Sequence, residues 1–403
     1  FLMTTSTILL LERIHEEAER ALSEAGLEVL RHDAALQEAN AAEVCDGSQV
    51  IGIRSKSHID SKILAASPHI DAIGCFCIGT NQVDLQAAAA AGVAVFNSPF
   101  SNTRSVAEMT IAEIIALHRR LFDRSMQLHQ GQWQKSAEGA HEVRGRTLGI
   151  VGYGHIGSQV SVLAEALGMR VCFHDILPRM ALGNAEPVDT LGALLERADV
   201  VTLHVPATPS TRHLMGAEEM ARMKPGATLI NNARGSVVDL EALGDAISRG
   251  HLGGAALDVF PEEPGGNEAA FTCPLAGLPN VLLTPHVGGS TEEAQAQIGR
   301  DVASKIIRFL QTGTTTSAVN VPEVDLPSRH PEQMRILYFH RNVPGVLSNL
   351  HSILADLGAN IHAEYLQSQG DLSYVILDVD PIDPAQTSQQ IVAMPETIRL
   401  RML

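Results

Sequence analysis

Short apolar runs alternate along most of the chain with longer stretches in which apolar residues recur every three or four positions. In the first hundred residues, positions 8–11, 50–53, 70–74 and 93–96 read as strands, and 12–25 reads as an amphipathic helix closed by Gly26. Strands alternating with helices predict a parallel sheet covered on both faces. Residues 105–128 predict one long helix, with Ile111, Ile114, Ile115 and Leu117 at helical spacing. A second series starts at 148–151 and continues through 171–173, 200–203, 228–230, 254–259 and 281–283. Six strands in this rhythm predict one doubly wound sheet, followed by a helix over 292–310.

The pattern changes after Gly313. Thr314 to Ser317 and Pro322, Pro327 and Pro331 read as connecting chain. Beyond it a strand is predicted at 335–339 and a helix at 344–357, with Pro344 in its first turn and Gly358 past its end. Strands at 360–366 and 372–378, a short helix and a strand near 397–402 complete a βαββαβ order, which is ferredoxin-like. A chain of 403 residues exceeds one ordinary core, so several domains are expected.

Composition narrows the functions. The chain is 45% hydrophobic and 19% charged, as folded globular proteins are, and its formal net charge is −17. Such a surface repels nucleic acid and anionic lipid, so neither is an expected partner, and an anionic substrate needs a local basic pocket. The longest apolar runs are too short to span a bilayer, and the opening Phe1-Leu2-Met3-Thr4 lacks a signal peptide's basic segment. Five cysteines, an odd number spread widely, point to reduced thiols and a cytoplasmic location. Cys75 and Cys77 form a lone C-x-C, too little to predict a metal.

Gly152-Tyr153-Gly154-His155-Ile156-Gly157 is a G-x-G-x-x-G between a predicted strand and a predicted helix, and Asp175 ends the next strand. Gly152 permits the turn, Gly154 lets the backbone approach a pyrophosphate, and Gly157 lets the helix sit close to the strand. The helix N-terminus then offers N–H groups to phosphate. An acid at position 175 accepts from a ribose diol and repels a 2′-phosphate, so NAD is expected over NADP, with Arg179 the one contrary hint.

Three further residues follow successive strands of the same sheet: Arg234, Glu263 and His286. Ligands bind at the carboxyl ends of such strands. Hydride transfer at a 2-hydroxy acid needs a cation for the carboxylate and a proton carrier for the hydroxyl. Arginine's planar fork suits the first task and histidine the second, and a glutamate beside the histidine favours the imidazolium. Taken singly, each is as readily a loop carboxylate, a helix-start ion pair or a satisfied histidine.

Residues 73–81 (Ile-Gly-Cys-Phe-Cys-Ile-Gly-Thr-Asn), 100–108, 232–235, 258–260 and 284–290, with the glycine motif, carry a specific likeness. The chain resembles the D-isomer-specific 2-hydroxyacid dehydrogenases nearly end to end, and most nearly the members serving L-serine biosynthesis. The resemblance implies a split flavodoxin-like substrate domain (1–101 with 290–320) and a Rossmann-like NAD domain (102–289). After a linker (321–332) it implies a ferredoxin-like ACT regulatory domain (333–403). It assigns substrate orientation to Arg234, support of the histidine to Glu263, and proton transfer to His286. Around NAD it sets Gly152, Gly154, His155, Ile156, Gly157, Asp175, Asn232, Ala233, Arg234, Asp258, His286, Val287, Gly288 and Gly289.

The implied reaction is oxidation of D-3-phosphoglycerate to 3-phosphohydroxypyruvate, with reduction of 2-oxoglutarate to 2-hydroxyglutarate as a side activity. The substrate set is Arg54, Lys56, Asn102, Lys135 and Arg234. Lys56 stands where the family pattern leads one to expect arginine, which keeps the charge and loses the fork. In the ACT-like segment His340, Asn342 and Asn360 are implied to bind L-serine as feedback effector. A homotetramer is implied, with Trp133 a candidate subunit anchor. The rival readings are a dehydrogenase for another D-2-hydroxy acid, such as lactate or glycerate, and an NAD-sensing binding protein of the same fold.

Overall fold

The computed structural model of the protein describes residues 6–37, 40–264, 270–327 and 329–403. Residues 1–5, on which the signal-peptide expectation falls, lie outside them. The chain divides into two compact units, Phe1–Ser101 with Gln295–Leu403, and Asn102–Ala294.

The first unit opens with five short strands, β1 (Thr7–Leu11), β2 (Glu28–His32), β3 (Val50–Ile53), β4 (Ala72–Cys75) and β5 (Ala94–Asn97). They pair in parallel in the order β2-β1-β3-β4-β5, the flavodoxin-like order. Strands β3, β4 and β5 are buried throughout, which is why they read as nearly unbroken apolar runs. Helices α1 (Glu16–Glu24), α2 (Ala41–Val44), α3 (Ser61–Ala66) and α4 (Leu85–Ala90) connect them. The helix predicted from position 12 begins only at Glu16, because Glu12 and Arg13 both take left-handed backbone (φ 57° and 50°). The His15 ring caps it by accepting from the Glu17 N–H.

The second unit begins with α5 (Thr103–Arg119) and α6 (Leu121–His129). The single helix predicted over 105–128 is therefore two, broken where Arg120 turns left-handed at φ 50°. Strands β6 (Thr147–Val151), β7 (Arg170–His174), β8 (Glu186–Pro187), β9 (Val200–Leu203), β10 (Thr228–Asn231), β11 (Gly254–Leu257) and β12 (Val281–Leu283) follow. All are parallel, in the order β12-β11-β10-β9-β6-β7-β8, which contains the six strands expected from the sequence in the Rossmann order, with the two-residue strand β8 added at one edge. Helices α7 (His155–Ala166), α8 (Leu191–Arg197), α9 (Ala217–Arg222) and α10 (Leu240–Ser248) cover it. The strand order reverses between β6 and β9, the place where doubly wound sheets bind ligands.

Helix α11 (Glu292–Thr312) leads back into the first unit. The last segment comprises β13 (Met334–Arg341), α12 (Val346–Asp356), β14 (Ile361–Gln369), β15 (Leu372–Val379), α13 (Pro384–Val392) and β16 (Thr397–Met402). Its antiparallel sheet runs β14-β15-β13-β16, the ferredoxin-like arrangement expected. Alternate residues separate its two faces. Ile336, Tyr338, Val375 and Leu377 pack under α12 and α13, whereas Leu337, Phe339, Tyr374 and Ile376 pack on Phe96, Val302 and Phe309. The Tyr374 hydroxyl donates to the Gly313 carbonyl (2.6 Å), and Arg399 and Arg401 converge on Asp71 (2.8 and 3.2 Å). At the start of β13, buried Arg335 meets the Asp378 carboxylate with two bonds of 2.7 Å.

Candidate active site

The glycine turn lies in the second unit, between β6 and α7, as its sequence context predicts. Gly152 has φ 90°, and a Cβ there would meet the His204 carbonyl oxygen at 2.4 Å. A Cβ on Gly157 would meet the Gly152 oxygen at 2.2 Å, so this glycine brings α7 against the turn. Gly154 is the N-cap of α7, makes no side-chain cap, and has open space where a Cβ would stand. His155 and Ile156 form the first turn of α7. A dinucleotide fits these features: a helix start without a capping side chain and an open approach suit pyrophosphate oxygens.

Asp175 follows β7 and accepts from the Tyr153 N–H (2.8 Å) and the Leu177 N–H (2.9 Å). Burial works against its ionisation, but those two N–H groups and Arg179 outweigh it and hold the carboxyl below its ordinary value. Arg179 is engaged by Asp175 itself (3.3 Å), so it no longer argues for a 2′-phosphate. Tyr153 is fixed by stacking on Phe173 (centroids 3.8 Å apart) and by its hydroxyl bond to Ser161.

At the ends of β10, β11 and β12 the chain forms a second cluster. Asn231 braces the turn after β10, donating to the Arg234 carbonyl and accepting from the Ala233 N–H. Arg234 is exposed, and its guanidinium donates to the Ala233 carbonyl at 2.7 Å. Gly235 lets the Phe260–Pro261 backbone pass closely, since a Cβ would meet the Phe260 carbonyl carbon at 1.9 Å. Asp258 is buried and accepts from the Thr284 hydroxyl (2.6 Å), the Val287 N–H (2.9 Å) and the Gly288 N–H (2.7 Å). One carboxylate thus clamps the loop that carries His286, whose own backbone is left-handed at φ 54°. Gly289 is tight against the Asn102 side chain, where a Cβ would meet Nδ2 at 2.2 Å.

Glu263 turns one oxygen to the Phe260 N–H (3.1 Å) and the other to the His286 ring Nδ1 (2.7 Å). The carboxylate accepts, so Nδ1 carries the proton, and Nε2, on a half-exposed ring, has no hydrogen-bond partner among the described residues. Glycine turn, Asp175, Arg234, Glu263 and His286 all belong to this one unit. Asn102 and Lys135 do too. Asn102 is buried with its Oδ1 unpartnered, and Lys135 is exposed. Arg54 and Lys56 belong to the other unit, on the loop after β3, half-buried and exposed respectively. In the C-terminal sheet, His340 is buried, with Nδ1 on the Arg341 carbonyl and Nε2 without a partner. Burial pulls its ring below the ordinary value, against the opposing effects of that carbonyl and Glu396. Asn342 is exposed and donates to the Gly370 carbonyl, and the exposed Asn360 donates its N–H to Asp380.

Two residues of the second unit escaped the sequence reading. Glu113 of α5 is buried and accepts from Asn232 Nδ2 at 2.7 Å, alongside Thr110 (3.1 Å). Burial, opposed by Asn232 and aided by the Asp258 charge, pushes its carboxyl up to about 7. The available signal was a carboxylate on the apolar face of a helix, in register with Val106, Thr110 and Leu117. His204, after β9, bonds to Thr202 and is pushed down to about 3 by burial, so it is neutral. No group of three metal-ligating side chains occurs among the described residues, and no helix among them is long and apolar enough to cross a membrane.

The family described as D-isomer specific 2-hydroxyacid dehydrogenase, NAD binding domain, matches residues 111–288, and an acetohydroxyacid synthase small-subunit-like ACT domain matches 336–399. The chain is 49% identical to D-3-phosphoglycerate dehydrogenase of Escherichia coli, over 98% of this chain and 97% of that one. It is 49% identical to D-3-phosphoglycerate dehydrogenase 2 of Saccharomyces cerevisiae, over 94% of this chain and 83% of that one. Its fold is similar to that of the Aquifex aeolicus D-lactate dehydrogenase complexed with NAD and lactic acid. That likeness has a TM-score of 0.65 at 29% identity and covers 75% of this chain and 96% of that one.

Proposed function

The chain belongs to the D-isomer-specific 2-hydroxyacid dehydrogenase family and is an NAD-dependent oxidoreductase with a C-terminal ACT domain, and we propose that it oxidises D-3-phosphoglycerate to 3-phosphohydroxypyruvate, the first step of L-serine biosynthesis. The observation that carries the chemistry is the 2.7 Å contact between His286 Nδ1 and Glu263. With Nδ1–H committed to the carboxylate, Nε2 takes the hydroxyl proton as the alcohol becomes a ketone, and Glu263 stabilises the imidazolium that forms. Arg234 binds the substrate carboxylate through its planar fork and so turns the reacting carbon toward the cofactor. NAD, when bound, supplies the hydride acceptor. Asp175 takes the adenosine ribose and the N-terminus of α7 the pyrophosphate, while Asn232, Ala233, Asp258 and residues 286–289 line the nicotinamide end.

Arg54 and Lys56 bind the phosphate, with Asn102 and Lys135 as further substrate contacts. The ACT segment binds L-serine through His340, Asn342 and Asn360 as feedback inhibitor, which the unpartnered Nε2 of buried His340 supports. Reduction of 2-oxoglutarate is a side activity of the same site. The subunits form a homotetramer in the cytoplasm, and exposed Leu121, Phe122 and Trp133 support a subunit contact there. Steady-state NADH formation with D-3-phosphoglycerate, D-lactate and D-glycerate tests the reading, with 2-oxoglutarate in the reverse direction. Saturable turnover of the phosphorylated substrate is expected, slowed by millimolar serine. Turnover of an unphosphorylated acid alone rejects the substrate assignment, and equal rates with and without serine reject the regulatory one.

A further inference from the structure

The loop after β3 is held by a carboxylate from another strand. Glu12, at the end of β1, is buried and has φ 57°, a left-handed conformation that a glutamate adopts only at a cost. Its side chain reaches the loop and accepts from three backbone amides: Ser57 N–H at 2.7 Å, Lys56 N–H at 2.9 Å and Arg54 N–H at 3.2 Å. The loop is braced elsewhere as well. Ser57 Oγ accepts from the Leu36 N–H (2.9 Å), and Gln82 Nε2 donates to the Arg54 carbonyl (2.8 Å).

Successive N–H groups that converge on one point form a cradle for an anion. Here the anion in the cradle is the protein's own. The amides of Arg54, Lys56 and Ser57 are already committed to Glu12, so a phosphate from solution must be held by side chains instead. Arg54 and Lys56 are the two cations on this turn, and neither forms an ion pair among the described residues. The backbone strain at Glu12, and at Arg13 beside it (φ 50°), fits a carboxylate held in place for a purpose beyond the local chain path.

We propose that Glu12 is a positioning residue for recognition of a phosphorylated substrate: it fixes the turn so that the Arg54 and Lys56 side chains are presented together to the phosphate. This rests on the reading of Arg54 and Lys56 as the phosphate-binding pair. Substitution of Glu12 leaves the buried Ser57 amide and the part-buried Arg54 and Lys56 amides without their acceptor, which costs more than a neutral exchange of hydrogen bonds. The turn then relaxes and the two cations lose their common geometry, while the cofactor turn and the His286–Glu263 pair lie on another unit and keep theirs.

The test compares the full-length enzyme with Glu12→Gln, Glu12→Asp, Arg54→Ala and the Glu12→Gln/Arg54→Ala double variant, with 3-phosphohydroxypyruvate and NADH as substrates. Glutamine offers one acceptor oxygen and sets an amide against the Lys56 N–H. Aspartate keeps the charge on a shorter arm and carries the test if the glutamine variant does not fold. The expected result is a KM for 3-phosphohydroxypyruvate raised about tenfold or more in each single variant. The KM for NADH and kcat should stay within about twofold. In the Arg54→Ala background, Glu12→Gln should raise KM by a smaller factor than it does alone, because only Lys56 is then left for Glu12 to position. A raised KM in Arg54→Ala with an unchanged or lower KM in the Glu12 variants overturns the positioning role alone. An unchanged KM in Arg54→Ala overturns the phosphate assignment beneath it. A loss confined to kcat, or full additivity in the double variant, shows a structural role and also overturns the proposal.

Discussion

Replacing Glu113 by glutamine isolates a single buried proton. The carboxyl sits in α5 with one oxygen on Asn232 and the other, Oε1, without a partner. Its ordinary value is 4.5, and burial in this setting, with Asp258 nearby, raises it to about 7. A raised acid binds its proton more tightly in the folded protein than in the unfolded chain. Between pH 4.5 and 7 the folded state keeps a proton that the unfolded state has released, so stability falls as pH rises through that window. Each tenfold difference in proton affinity is worth about 1.4 kcal/mol. The full effect is therefore on the order of 3 kcal/mol, complete by about pH 7 and absent below about pH 4.5. Glutamine keeps an acceptor for Asn232 and cannot ionise. Urea unfolding of both proteins, followed at pH 5 and pH 8, compares them with every other titrating group held in common. The variant should gain stability relative to the wild type by about 2–3 kcal/mol on going from pH 5 to pH 8. Parallel stability curves at the two pH values would refute the buried, proton-linked reading of Glu113.

Asp175→Ala removes the acceptor for the ribose diol and frees Arg179, so KM for NAD should rise by roughly 10- to 100-fold and discrimination against NADP should shrink, as initial rates with both cofactors will show. Arg335→Met strands the buried Asp378 carboxylate and should cost about 3–5 kcal/mol by denaturant titration. Adding Asp378→Leu should recover most of that loss; a double variant as unstable as the sum of the two singles would show that the ion pair is not the unit that matters.

Local chemistry made the nucleotide unit legible. The strand of residues 148–151, the glycine turn and Asp175 each state their requirement within a few residues, and Arg234, Glu263 and His286 each follow a strand whose apolar run is plain. The departures have specific causes. The helix expected from position 12 starts four residues later because Glu12 and Arg13 bend left-handed, a conformation their residue types do not advertise. Arg120 breaks the long helix without a glycine or proline to mark the break. Strand β2 is half-exposed at the sheet edge and reads Glu-Val-Leu-Arg-His, without the unbroken apolar run of its neighbours. The packing of the C-terminal sheet on Phe96 and Phe309 depends on contacts far apart in sequence, although residues 336–339, apolar at every position, already signal burial on both faces. Glu113 and Asn232 are 119 positions apart, and no local pattern joins them.

In the proposed mechanism His286, oriented by Glu263, carries the proton in an NAD-linked oxidation of a D-2-hydroxy acid. Steady-state kinetics of His286→Gln with D-3-phosphoglycerate and NAD, paired with NADH affinity by fluorescence titration, separates that role from cofactor binding. The expected result is a kcat lowered by roughly 10²- to 10⁴-fold with NADH bound within a few-fold of wild type. A variant that binds NADH normally and turns over at close to the wild-type rate would contradict it.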